Sequence, residues 1–485
     1  MSQPINQLLI SPEGKTLEFK RDLSSPKNIL KTLVAFANTA GGCLIVGVDD
    51  DQKLVGVAQP LDEEERLGNL IADSIEPRLV PNIDLITHQG KSLLIIEVFP
   101  SGLRPHSLKS EGAEHGVYVR LGSSSRQADR ELVAELRRSA EGIVFDELPM
   151  PALTVDDLDF HAARGLFADQ RVLTEHDFLT LRLLTREQGQ LVPTKGAVLL
   201  FGKERQRYFP DAWVQCGRFS GKDKAHIFDH IDINAHLPLV VDQVMNFLKK
   251  HAMRGADFSE IRRKDVWSIP LLILREAVIN ALVHADYSQT GAPIRIAYFD
   301  DRIEIESPGI LLPGMTIEDM KRGISRLRNR VIARVFRELN LIEQWGSGVR
   351  RIFSEAQALG LPEPDIQEIS MRLRLTVHLA ETKVIASPEA LDALQSKSRL
   401  ESQLESRLES KLAAKVMLVL FSQDAGKTQL SKALGNKSVS GELNKQIHRL
   451  IALHLIEMTL PDKPNSRLQK YRLTAQGRQL QQPTP

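Results

Sequence analysis

The segment PLLILREAVINALVHADY, residues 270–287, decides how the centre of this chain folds. Pro270 suits the first turn of a helix, and the residues after it are apolar almost all round, which predicts a buried helix. Glu276, Asn280 and His284 are the exceptions, and their spacing places them on one stripe of that helix. Because buried polar groups need partners, we interpret the stripe as the wall of a ligand site. The alternative is a set of hydrogen bonds to neighbouring backbone.

Two predicted strands follow this helix. Residues 294–309 form a pair of strand-like runs joined by an Asp-Asp turn, and the second run ends at Gly309. Gly309 begins a segment that we interpret as a lid. The lid contains the basic run SRLRNR, residues 325–330, whose Arg328 contacts a phosphate or belongs to a solvated face.

A glycine element, QWGSG, precedes the next predicted helix, residues 349–359. Gly346 and Gly348 let backbone N–H groups approach a phosphate at the start of that helix, where the helix dipole favours anions. The alternative is that these glycines only form a tight turn.

The stretch around Glu276 resembles the N box of GHKL-type ATPases, which include gyrase B subunits and histidine kinases. It is most similar to the divergent branch found in bacterial RecG-related regulators. The resemblance implies a GHKL-type α/β sandwich that binds ATP, with Glu276 as the base for the attacking water and Asn280 as the Mg²⁺ ligand. The adenine-binding aspartate of the family signature is missing, because the second strand ends in Glu-Ser-Pro-Gly, residues 306–309. The residues expected to bind the nucleotide are Asn280, His284, Gly309, Arg328, Gly346 and Gly348.

The first 140 residues predict an α/β domain. Strands are expected at 16–20, 43–48, 93–99 and 117–121, and helices after Ser25-Pro26 and over 131–140. The runs LEFK, AFANTAGG, VGVDD and YVRLGS resemble a Schlafen AlbA-like domain over about residues 8–140. That resemblance implies nucleic-acid binding, with Lys20 and Arg120 as contacts.

In some animal members of the Schlafen family, two glutamates and an aspartate cleave RNA. The pattern places these carboxylates at Glu13, Glu18 and Asp50, where three of them could hold a divalent metal. The alternative is that Glu18 pairs with Lys20 along the strand and that Asp50 belongs to a solvated acidic turn. We expect this alternative, and therefore no cleavage.

The last hundred residues change in composition. The run SRLESQLESRLESKL has a leucine at every fourth position, which predicts either a solvated linker helix or an oligomerisation helix. Residues 413–478 then carry eleven basic and four acidic residues, a local charge of +7. This part resembles a winged helix, with helices at 428–434 and 440–450 and two wing strands. The resemblance implies that DNA contacts come from Asn444, Lys445, His448, Arg449, Lys463, Arg467 and Lys470; the alternative is a winged helix that binds protein.

The whole chain predicts an α/β multidomain protein. Its 485 residues are 42% hydrophobic, enough for several cores, and its two cysteines support neither a disulfide framework nor a zinc site. We find no secretion signal and no bilayer-spanning run, so we expect a cytoplasmic protein that does not bind membranes. The predicted domains are 1–140 (AlbA-like), 141–265 (an α/β segment without a motif), 266–380 (GHKL-type), 381–412 (helical linker) and 413–485 (winged helix).

The sequence therefore favours a homo-oligomeric regulator that binds ATP, Mg²⁺ and nucleic acid, with DNA preferred to RNA. Its nucleotide state would arrange the terminal modules. The first alternative is an ATP-gated, metal-dependent nuclease, for instance in phage defence. The second is a regulator that binds nucleotide without hydrolysing it.

Overall fold

The computed structural model describes residues 5–252, 254–257, 264–342, 348–379, 404–405, 407–408, 410–434, 441–462 and 469–480. The chain divides into two compact units. The first unit comprises Met1–Gly255 and Trp267–Ile385, and the second comprises Ala256–Val266 and Ala386–Pro485. The predicted linker helix over 381–412 lies mostly outside the described residues, as do Gly346, Lys463 and Arg467.

The N-terminal domain, residues 5–140, is a mixed α/β structure. Its elements are α1 (Ile5–Ile10), β1 (Leu17–Lys20), α2 (Pro26–Asn38), β2 (Gly42–Val46), α3 (Pro60–Ser74), β3 (Ile75–Glu76), β4 (Asn82–His88), β5 (Lys91–Val98), β6 (Ser107–Leu108), α4 (Gly112–His115), β7 (Tyr118–Leu121), β8 (Ser124–Gln127) and α5 (Arg130–Ala140). The main sheet has the order β1-β2-β5-β4, with β1 parallel to β2 and the other pairs antiparallel.

Helix α2 forms where the sequence predicts it. Ser25 is the residue before the helix and Pro26 occupies its first turn, where a missing N–H costs nothing. Ile29, Leu33 and Phe36 are fully buried and pack in the core of this domain, as their helical spacing indicates. The four predicted strands correspond to β1, β2, β5 and β7.

Residues 141–252 lead into the central sheet. They contain short 3₁₀ turns at Phe145–Glu147 and Val155–Asp157, then α6 (Phe160–Phe167), α7 (Glu175–Thr180), β9 (Leu184–Glu187), β10 (Gln190–Pro193), α8 (Lys195–Phe201), α9 (Arg205–Tyr208), β11 (Val214–Phe219), β12 (Ile227–Ile233) and α10 (Leu237–His251). A two-stranded sheet of β13 (Arg254–Asp257) and β14 (Lys264–Trp267) follows.

The central domain comprises the described residues of 141–252 and 268–379. Its later elements are α11 (Leu271–His284), β15 (Ile294–Tyr298), β16 (Arg302–Pro308), α12 (Ile317–Lys321), α13 (Arg330–Glu338), α14 (Gly348–Ala358), β17 (Asp365–Ile369) and β18 (Arg372–His378). The six-stranded sheet has the order β12-β11-β15-β16-β18-β17, and α11 packs against β16, α10 and α14. Because β11 pairs with β15, this sheet crosses the predicted boundary at residue 265.

The second unit has a small helical core. Its elements are α15 (Lys411–Ser422), α16 (Lys427–Ala433), α17 (Gly441–Ala452), β19 (Ile456–Met458), β20 (Tyr471–Leu473) and α18 (Ala475–Gln479), with β19 antiparallel to β20. Leu443, Ile447 and Leu450 of α17 are fully buried, which confirms that this face of the predicted second helix points inward.

No helix within the described ranges combines the length and the apolar character that crossing a bilayer requires.

Candidate functional site

One cavity of about 460 Å³ gathers most of the predicted nucleotide-site residues. It lies in the central domain, between α11, the end of β16, the start of α14 and the lid segment, residues 309–329. A volume of this size is ordinary for a small-molecule site. The lining includes six of the predicted residues: Glu276, Asn280, His284, Gly309, Arg328 and Gly348.

The carboxylate of Glu276 lies at the centre of a polar cluster on α11. It forms an ion pair with Arg351, with Nη2 and Oε2 separated by 2.5 Å, and the Glu276 residue is 8% exposed. Asn280 donates from Nδ2 to Oε1 of Glu276 over 3.2 Å. That bond leaves the Oδ1 atom of Asn280 as the acceptor that a cation can use.

Helix α14 starts directly against this cluster. A β-carbon on Gly348 would stand 2.0 Å from Oε1 of Glu276 and 3.3 Å from Nδ2 of Asn280, so any side chain here would have to displace the Glu276 carboxylate. Because α14 is 11 residues long, its N-terminus carries the partial positive charge that favours anions. The helix start therefore gives this side of the cavity the character of a phosphate site.

His284 continues the polar stripe one turn further along α11. It is half-buried at the cavity wall, and burial lowers the pKa of its imidazole to about 4. The ring is therefore neutral at neutral pH and offers one hydrogen-bond donor and one acceptor.

The lid segment adds positive charge and apolar surface. Arg326 and Arg328 line the cavity, and so does Arg337 of α13. The rest of the wall is largely apolar, which suits a planar base. Its members include Ile305, Ile310, Leu311, Met315, Ile352 and Leu375.

A magnesium ion fits this arrangement only when a phosphate-bearing molecule binds with it and supplies most of its oxygen ligands. The part of the chain that the structure describes contains no group of three His, Cys, Asp or Glu side chains able to hold a metal. Mg²⁺ on a nucleotide takes most of its oxygens from phosphates and water, with one or two protein ligands. The Oδ1 atom of Asn280 suits that single role.

The three carboxylates of the N-terminal domain have separate surroundings. Glu13 accepts a hydrogen bond from the backbone of Phe19 at 2.8 Å. Glu18 forms ion pairs with Lys20 and Arg120, and Asp50 is exposed in the turn after β2. They form no metal-binding cluster among the residues described.

Arg120 does not face nucleic acid as the sequence led us to expect. The residue is 1% exposed, pairs with Glu18, and donates from Nε to the carbonyl oxygen of Gly14 at 3.1 Å. A guanidinium held this way cannot reach a phosphate, so we correct its role to a structural one. Lys20 is more accessible, with 28% of its side chain exposed, although it is also paired with Glu18.

The predicted DNA contacts of the second unit are mostly at the surface. Lys445, His448 and Arg449 of α17 are exposed, as is Lys470, while Asn444 is half-buried.

Sequence reasoning missed Arg351, the ion-pair partner of Glu276. The available signal was its position, since the residue three places after the first residue of a helix lies close to that helix N-terminus. A basic residue at that place adds charge to a site already suited to anions.

Three family models match separate parts of this chain. "Schlafen, AlbA_2" matches residues 13–129, "Putative ATP-dependent DNA helicase recG C-terminal" matches 291–377, and "Filamentation induced by cAMP protein Fic-like, C-terminal domain" matches 414–474. A search of curated proteins finds no match.

Two solved structures are similar. The crystal structure of the DIP2311 protein from Corynebacterium diphtheriae shares 21% identity, covering 98% of this chain and 97% of that one, with a TM-score of 0.41. The solution structure of the N-terminal domain of a putative ATP-dependent DNA helicase RecG-related protein from Nitrosomonas europaea shares 29% identity. It covers 26% of this chain and 90% of that one, with a TM-score of 0.21. The first two family models confirm the resemblances drawn from the sequence for these parts: this mixed α/β chain is similar to the Schlafen AlbA_2 family in its N-terminal part and to the RecG C-terminal family in its centre.

Proposed function

We propose that the central cavity binds ATP with Mg²⁺, and that the chain is a nucleotide-responsive regulator that binds nucleic acid through its terminal modules. One observation carries the nucleotide assignment. The polar stripe of α11 and the N-terminus of α14 meet at a single cavity with basic residues and an apolar wall. A nucleotide needs both surfaces, one for its phosphates and one for its base.

Each part of the cavity has a separate role in this proposal. The backbone at Gly348 and the guanidinium of Arg326 receive the phosphates, and Asn280 holds the cation. Mg²⁺, when bound with ATP, neutralises part of the phosphate charge. Ile305 and Leu375 contact the base.

Hydrolysis makes a further demand on Glu276. A general base must reach the attacking water directly, but this carboxylate is engaged by Arg351. We infer that the site binds ATP stably while the ion pair is intact and that hydrolysis requires Arg351 to turn away. This supports a switch with slow turnover rather than a fast ATPase.

The second unit supports the proposed DNA contacts. Its helices α15 to α17 and the β19–β20 pair follow one another in the order of a winged helix. The exposed Lys445 and Arg449 lie on the outer face of α17, opposite the buried Leu443 and Ile447. Cations on that face suit the phosphates that flank a major groove. We infer that DNA is the preferred nucleic acid.

Calorimetric titration of the full chain with Mg²⁺ and a non-hydrolysable ATP analogue tests the nucleotide assignment. We expect binding by the wild type and at least about tenfold weaker binding by Asn280→Ala, a loss of about 1.4 kcal/mol or more. Binding that is equally strong in this variant, or absent from a folded wild type, overturns the proposal.

A further inference from the structure

The N-terminal domain packs against one wall of the central cavity. Ile310 lines the cavity and also belongs to a hydrophobic cluster of the N-terminal domain. The cluster partners of Ile310 are Val117, Val119, Ala128, Leu132, Val133 and Leu136, which come mainly from β7 and α5. Movement of the wall at Ile310 would therefore act on α5, because tightly packed interiors transmit strain.

An ion pair reinforces this contact. The guanidinium of Arg328 lines the cavity, and its other side pairs with Glu135 of α5. The two side chains are only 8% and 10% exposed. Burial lowers the pKa of Arg328 to about 10, so it still carries its charge at neutral pH.

The residues around this ion pair leave room for the guanidinium of Arg328. A β-carbon on Gly309 would stand 3.1 Å from Cζ of Arg328, so the glycine leaves room for the guanidinium. Arg328 also donates to the carbonyl oxygen of Ile310. Within the described residues, Oε2 of Glu135 has no hydrogen-bond partner. The positive charge of Arg328 is therefore the main interaction that stabilises this buried carboxylate.

Other contacts also join the same two domains, and one of their members, Glu368, lies close enough to raise the pKa of Arg328 by its charge. The ammonium of Lys15 pairs with Glu368 at 2.6 Å, and Glu368 also accepts from the backbone of Leu311 at 2.8 Å. The backbone of Gly314 donates to the carbonyl oxygen of Thr39 at 2.9 Å. The domains therefore stay joined when the Arg328 pair opens.

We propose that a phosphate of the bound nucleotide competes with Glu135 for Arg328, so that nucleotide binding releases α5 of the N-terminal domain. This inference rests on the proposed ATP site. A guanidinium prefers the more highly charged phosphate, and it can bind two of its oxygens at once. Glu135 then becomes a buried carboxylate without a partner, and α5 relaxes to bring it to water.

The coupling is reciprocal. Any ligand that favours the released form of α5 must raise the affinity for nucleotide by the same factor by which nucleotide raises the affinity for that ligand.

The test uses the full chain with Mg²⁺ and a non-hydrolysable ATP analogue. Glu135→Gln keeps the shape of the side chain but removes the competing charge. We expect it to bind the analogue about tenfold more tightly, within the usual range of coupling between sites. In the wild type, hydrogen exchange of residues 130–140 should rise when the analogue binds, and in Glu135→Gln this response should be lost.

Two further variants make the result decisive. Glu141→Gln alters an exposed glutamate at the end of the same helix, and its affinity and exchange response should match the wild type. Glu135→Asp keeps the charge and replaces Glu135→Gln in the experiment if that variant fails to fold. Its affinity for the analogue should lie between those of the wild type and Glu135→Gln. A wild type that binds the analogue, with Glu135→Gln unchanged in affinity and response, overturns this inference alone. A folded wild type that does not bind removes the proposed ATP site as well.

Discussion

Gly348 and Glu276 approach so closely that a β-carbon on residue 348 would stand 2.0 Å from Oε1 of the carboxylate. The contact joins the first residue of α14 to the middle of α11, two helices that are separated in sequence by β15, β16, the lid and α13. It makes the shape of the cavity depend on the absence of a side chain.

We predict that Gly348→Ala weakens binding of the ATP analogue by at least about tenfold, or 1.4 kcal/mol. The new methyl group must displace Glu276 and disturb Asn280, while the backbone needs no unusual conformation. Calorimetry measures the affinity. The matched control is Gly68→Ala in α3, where an added β-carbon meets nothing within 4 Å and affinity should not change. Unaltered affinity in Gly348→Ala would contradict the described contact.

His284 predicts a specific pH dependence of stability. Its pKa is about 4 in the folded chain and 6.5 in the unfolded chain. The lowered pKa means that the unfolded state takes up the proton first, so this contribution is complete above pH 6.5 and is lost as pH falls towards 4. The full loss is about 3 kcal/mol at roughly 1.4 kcal/mol per pH unit.

Urea unfolding without nucleotide at pH 7.5 and pH 4.5 measures this effect. His284→Gln should lose less free energy of unfolding between the two pH values than the wild type. The comparison cancels the contributions of buried carboxyl groups, which are common to both proteins. Equal pH dependence in the two proteins would show that His284 titrates normally.

Glu18→Ala should lower the free energy of unfolding by about 3–5 kcal/mol, because Arg120 then remains buried without its carboxylate. Asp50→Ala should be nearly neutral, since Asp50 is exposed. Chemical denaturation measures both.

We also expect no cleavage of labelled tRNA or duplex DNA by the wild type with Mg²⁺ or Mn²⁺, with or without ATP. Metal-dependent cleavage that disappears in a folded Glu18→Gln variant would establish the nuclease alternative.

Removing Lys445 and Arg449 together should weaken duplex DNA binding and flatten its salt dependence. The slope of log affinity against log salt is negative, and each lost phosphate contact should reduce its magnitude by about 0.9. Fluorescence anisotropy at several salt concentrations measures the slope. Lys415→Ala, a charge change on the exposed side of α15, is the control and should change it little. If the double variant keeps the wild-type slope, α17 does not contact DNA.

Local patterns were sufficient for much of this fold. The stripe on α11 identified three residues of one cavity, because helical spacing alone places them on the same side. The burial of Leu443 and Ile447 followed from the same rule. Such inferences need only residues close in the chain.

Long-range contacts were not predictable in this way. Arg120 looked like a surface cation because its partner, Glu18, is far away in sequence. Strand β12 is mostly exposed, so it has no clear alternation of apolar and polar residues, and its place at the sheet edge was missed. Arg351 was missed because its partner lies on another helix.

The parallel pairing of β11 with β15 has a practical consequence for work with fragments. A shortened protein that starts at residue 266, or at 291 where family similarity begins, would lack β11 and β12. It would expose the hydrogen-bonding edge of β15 to water and to other copies, which invites aggregation. A fragment that keeps this sheet intact must therefore start before residue 214, well ahead of the region where family similarity begins.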